Sequence, residues 1–195
     1  MTHIKSALEI ALERTENVKG DRETLLIHEL KNDGMKLVSE ALRNHDKIEN
    51  LKKKASSMSQ KDRTYFMEGV SSALLSNISL PSLDDFEGDL ENLKGVFVAV
   101  SSDTKKTDYI FDQIKDFLSQ FVDNRNQLEE NLKIQYEPKL RQKEEDLYKR
   151  MGAKVHLEPM QDPEFVSILH ENQMKLEERY TQALSQVKTE LGRLL

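Results

Sequence analysis

The sequence predicts an all-α protein, an elongated bundle of about six helices, several of them long, packed as hairpins with coiled-coil character. Three observations lead there. Apolar residues make up 37% and charged residues 33% of the 195-residue chain. That balance falls short of what fills a compact sphere but suits narrow apolar stripes on helices whose other faces meet water. Only seven glycines and four prolines interrupt the chain. Apolar residues recur at three- and four-residue spacing along most of its length, where a strand would alternate.

The first stripe is Ile4, Ala7, Leu8, Ala11, Leu12 and Thr15, one face of a helix over 3–18, with a break and a new N-cap at Gly20-Asp21. From 21 to 58 the spacing becomes a heptad. Ile27, Gly34, Ala41, Ile48 and Ala55 occupy one core position, and Leu30, Leu37, Asn44, Leu51 and Met58 the other. As a single helix this stretch would be roughly 55 Å long. Its small residues would admit a neighbouring helix closely, and Asn44 is a polar defect of the kind that fixes register.

Ser59, with Asp62 three residues later, reads as the capped start of a third helix whose face is Phe66, Val70, Ala73, Leu74 and Ile78. Pro81, Gly88 and the acidic residues of 79–89 mark the main organisational boundary, giving N-terminal (1–80) and C-terminal (81–195) helical segments of one continuous assembly. Gly95-Val-Phe-Val-Ala-Val100 has strand-like composition, yet Leu83, Phe86, Leu90, Leu93, Phe97 and Val100 keep helical spacing. The reading here is helix. The register resumes after Ser101-Ser-Asp-Thr104 with Phe111, Ile114, Leu118, Phe121, Leu128 and Leu132. Pro138 should end or kink this helix. Tyr136, Leu140, Leu147 and Met151 carry the face on to a stop at Gly152. Asp162-Pro163-Glu164 places an N-cap, a proline at the first helical position and an acid after it. The last helix then runs toward Leu195 with Phe165, Leu169, Leu176, Tyr180, Leu184, Val187, Leu191 and Leu194 inward.

Familiar chemistry finds few footholds. There is no cysteine, so disulfides and thiolate chemistry are excluded. A di-iron bundle needs Glu three residues before His. His28, His45, His156 and His170 follow Leu25, Leu42, Ala153 and Ser167 at that spacing, and His3 has no such position. Aligning Gly88 with the sixth position of a calcium loop puts Leu83 first and Lys94 twelfth, which fails at both ends. No phosphate-binding glycine motif and no Gly-x-Ser-x-Gly elbow occurs. The phenylalanines at 86, 97, 111, 117 and 121 have the spacing of core. No cofactor, metal or catalytic residue is therefore assigned.

Two basic clusters, Arg43, Lys47, Lys52–Lys54, Lys61 and Arg63, then Lys139, Arg141, Lys143, Lys149 and Arg150, are interleaved with acids, and the net charge is −6. Such mixing forms ion-paired surface rather than a phosphate track, so nucleic acid is not expected, although a basic-patch binder of nucleic acid or anionic membrane is the alternative reading. An enzyme with a polar pocket in the bundle is another. No stretch reaches transmembrane length, and nothing at the start resembles an export signal. The expectation is a cytoplasmic, non-enzymatic scaffold or adaptor that binds a protein partner or itself. Its candidate interaction seam is Ile27, Leu30, Leu37, Asn44, Ile48 and Leu51.

Overall fold

The computed structural model describes residues 7–82 and 85–195, with side chains described from Arg22 onward. Among these residues there are six α-helices and no strand, so the chain is all-α. The helices are α1 (Ala7–Arg43), α2 (Ile48–Ser57), α3 (Gln60–Ser76), α4 (Glu87–Val100), α5 (Thr104–Met151) and α6 (Pro163–Gly192). The 95–100 stretch is helical, as its spacing predicts. Two compact units form, one from residues 1–78, 89–108 and 191–195, the other from 79–88 and 109–190.

In the first unit α1 and α3 run parallel. Glu23 meets Lys61 at 2.6 Å, and further along both helices Lys31 meets Glu68 at 2.7 Å. Between them α2 turns back along α1, bringing Lys54 to 3.6 Å from Asp33. The predicted single helix over 21–58 is thus two helices. Asn44 adopts extended backbone (φ −146, ψ 109), and its side chain accepts the Asp46 N–H, opening a 3-10 turn at His45–Lys47. A short polar side chain that satisfies a nearby backbone donor competes with the helical ladder, and here it wins because the reversal buries Leu51 and Ala55. The break expected at Gly20-Asp21 is absent; α1 runs through it, since one interior glycine costs a helix only about 1 kcal/mol. The first residues of the predicted 3–18 helix, and that helix's side chains, lie outside the described residues.

The α1–α3 crossing is a backbone contact. A methyl on Gly34 would overlap the Phe66 carbonyl oxygen and lie 3.0 Å from Val70 N. One on Gly69 would overlap the Lys31 carbonyl oxygen and lie 2.8 Å from its Cα. Around this crossing Val38, Ala41, Phe66, Val70 and Leu74 are buried. Leu93, Val96 and Phe97 of α4 and Leu191 and Leu194 complete the apolar interior of this unit. Ser102 N donates to Leu194 O at 2.8 Å. The α4–α5 turn is closed by Asp103, whose Oδ1 accepts Lys106 N, and by buried Thr107, which donates to Asp103 O.

In the second unit α5 and α6 pair antiparallel. Tyr136 packs against Phe165 with the rings tilted (centroids 5.3 Å apart), while Phe121, earlier on α5, meets Tyr180, later on α6 (5.2 Å). The interval is fifteen residues on each helix, so the register holds without slip between the two contacts. Phe111, Ile114, Leu118 and Phe121 of α5 are buried, as are Leu169 and Leu184 of α6. Arg125 lies over the Phe121 ring and donates to the carbonyls of Pro81 and Ser82, tying that stretch to α5. Pro138 does not break α5. It lies on an exposed face with Ile134, whose carbonyl would otherwise accept the N–H that proline lacks, so the lost bond is not left in a buried position.

Substituting Gly34→Ala or Gly69→Ala should lower stability by about 1–3 kcal/mol, because no flexible neighbour is there to yield. Gly88, with open space where a methyl would go, supplies the contrast. Gly88→Ala should be neutral or stabilising by less than about 1 kcal/mol. Urea unfolding of the three variants would separate the cases.

Candidate functional site

The most elaborate polar arrangement among the described residues sits where α5 ends and α6 begins. Gly152, at φ +69, takes the left-handed conformation that stops α5, and its N–H returns to Tyr148 O at 2.8 Å. The connector then turns through a 3-10 segment at Pro159–Gln161. Glu144 of α5 steers it: its Oε1 accepts Leu157 N–H at 2.7 Å and lies 3.0 Å from His156 Nδ1. Asp162 caps α6, with Oδ1 accepting Glu164 N at 3.0 Å and Pro163 at the first helical position.

Lys143 Nζ has three protons and finds three acceptors: Asp162 Oδ2 at 2.5 Å, Tyr136 Oη at 3.0 Å and Glu164 Oε2 at 3.1 Å. Tyr136 Oη in turn lies 2.9 Å from Asp162 Oδ2 and 3.2 Å from Glu164 Oε2, and Lys139 pairs with the other Glu164 oxygen. The ring of Tyr136 and the side chains of Leu140, Phe165 and Leu169 form the apolar base of this network. Asp162 is only 8% exposed. The Lys143 hydrogen bond holds its carboxyl below the usual range, and Lys139 followed by Lys143 does the same for Glu164. Asp162 and Tyr136 together raise Lys143 well above an ordinary lysine. Burial pushes the Tyr136 phenol up, and the Leu157 N–H draws Glu144 down.

Beside the network lies a cleft of about 390 Å³, lined on α5 by Lys143, Asp146, Leu147 and Arg150 and opposite them by Leu157, Gln161, Asp162 and Pro163. The α5 residues are spaced three and four apart and so share one helix face. No buried polar side-chain atom among the described residues lacks a hydrogen-bond partner.

The predicted seam is distributed differently. Leu51 is fully buried in the first unit, Ile27, Leu30, Leu37 and Ile48 are half-buried, and Asn44 is the exposed cap of the 3-10 turn. The expected charge interleaving is present as discrete pairs. Lys52 lies near Glu49, Lys54 near Asp33, Arg141 near Glu137 and Lys149 near Asp146. No group of three or more potential metal ligands occurs among the described residues. Spacing revealed Asp162 as a cap and Tyr136 as part of a helix face. It did not reveal that the two meet through Lys143, nor that Glu144 holds the connector.

By fold and site this is an all-α protein whose second unit is an antiparallel helical hairpin, its bend locked by a network in which Tyr136 and Asp162 are buried and Lys143 and Glu164 partly exposed. The chain belongs to a family of unknown function (DUF6657), whose model matches residues 52–193, from within α2 to the last residues after α6. No curated protein and no solved structure matches it. No helix among the described residues is long and apolar enough to cross a membrane.

The signs of these shifts set a pH dependence. Carboxyls with lowered values stabilise the fold above their ordinary range and lose that contribution as pH falls through the lowered folded values. Lys143, raised, contributes fully below an ordinary lysine value and loses it only as pH climbs through the raised one. Between about pH 7 and about pH 3 the wild-type urea midpoint should therefore drop, and Lys143→Met should shrink that drop while lowering the midpoint at neutral pH. An unchanged drop would remove Lys143 as the source. Tyr136→Phe, which leaves the packing in place, should cost about 1 kcal/mol.

Proposed function

We propose that the protein is a non-enzymatic helical scaffold whose protein partner is a second copy of itself, bound through an apolar face of α1. The observation that carries the reading is the exposure of Leu25 (63%) and Leu26 (49%), next to the half-buried Ile27 and Leu30. Scattered exposed leucines are ordinary, but two consecutive ones contiguous with a helical stripe resemble the start of an interaction seam. Farther along α1, Gly34, Val38 and Ala41 are buried within the first unit. The free apolar surface therefore precedes them, and the seam shifts from the middle of the heptad stretch toward Leu25–Leu30. Among the described residues every buried polar side-chain atom has a hydrogen-bond partner, as expected of a supporting structure.

Light scattering at low and high salt tests this. The wild type should run above its monomer mass of 22.6 kDa and hold that mass in high salt, because apolar burial is not screened. Leu25→Asp combined with Leu26→Asp should return it to the monomer with unchanged helicity by circular dichroism. A wild-type monomer at both salt concentrations would rule out self-association as its mode of action.

A further inference from the structure

We infer that the cleft beside the α5–α6 junction binds a small amphipathic monoanion, an apolar chain or ring ending in a carboxylate. This site lies in the second unit and does not depend on the α1 reading. At about 390 Å³ the cleft falls within the size range of small-ligand pockets. Leu147 on one wall and Leu157 and Pro163 on the other supply apolar surface.

The charges around it sort into committed and uncommitted groups. Lys143 spends its three donors on Asp162, Tyr136 and Glu164. Asp162 is occupied by Lys143, by Tyr136 and by the Glu164 N–H. Asp146 lies 3.5 Å from Lys149, and Gln161 Oε1 accepts Glu158 N–H. Arg150 is the cation left over; among the described residues nothing bonds or pairs with its guanidinium. That group is always charged and presents five donors in a fork that matches a carboxylate.

One uncommitted cation beside apolar walls selects one anionic head and an apolar body. A nucleotide or other polyanion would need several free cations, and the second one here, Lys143, is already neutralised. A cationic ligand would meet Arg150 and find only carboxylates that have partners. Arg150 also occupies the last turn of α5, where a cation offsets the helix dipole. That role leaves its donors available but requires stability to be followed separately from binding.

Octanoate, with octanol as the uncharged probe of the same length, tests the assignment by amide chemical-shift titration of the full chain. Octanoate should give saturable shifts concentrated in residues 143–150 and 157–163, with octanol weaker by about tenfold or more, the scale of one charge-assisted hydrogen bond. Arg150→Gln should weaken octanoate by about tenfold with unchanged circular dichroism, and Arg150→Lys should fall between. Absence of saturable shifts, an equal response to octanol, or octanoate binding indifferent to Arg150→Gln would each overturn the proposal.

Discussion

The first unit depends on two backbones touching. Where α1 crosses α3, Gly34 lies against the Phe66 carbonyl and Gly69 against Lys31, with no side chain between the helices at either point. Close approach multiplies the dispersion contacts of the flanking Val38, Ala41, Phe66, Val70 and Leu74, because those side chains reach one another across a narrower gap. It also sets a geometric demand. A helix that must lie this near α1 and run parallel to it needs a way back, and α2 with its Asn44-capped turn supplies one. The 3-10 turn, the reversal and the burial of Leu51 follow from that requirement.

The second unit solves a different problem, that of joining two long antiparallel helices without loss of register. Aromatic contacts fifteen residues apart on each helix set the pairing, and the bend must then return the chain at the right height. Glycine stops α5, Glu144 draws the connector in through Leu157, and Asp162 starts α6. Lys143 ties the cap to the preceding helix. A buried carboxylate alone would be costly; with a cation, a phenol and a backbone N–H around it, its lone pairs are satisfied. With the network's polar groups spent on one another, Leu147, Leu157 and Pro163 supply the apolar surface of the neighbouring cleft, and among the described residues the Arg150 guanidinium beside it has no partner.

Helical periodicity, together with the scarcity of glycine and proline, determined the all-α class from the sequence alone. The helix starts at Ser59 and Pro163 and the stop at Gly152 were legible for the same reason. Caps and stops act through residues within one turn, so local sequence carries them. The strand-like stretch 95–100 was resolved by spacing rather than composition. The heptad over 21–58 was misread as one helix because periodicity survives a reversal: α2 resumes the same apolar rhythm after Asn44, and the pattern of side chains does not record which way the backbone turns.

What only the tertiary structure decided is which stripes meet and which polar groups find each other. Gly69 carried no signal until α1 lay across it, and Pro138 was tolerated because its face of α5 is exposed. Tyr136 and Lys143 lie two turns apart on one helix, yet they form a site only when residues 162 and 164 return from the connector. These are contacts across long sequence separations. Their energies depend on distance and burial, which folding sets, whereas the helices depend on neighbours along the chain, which the sequence already supplies.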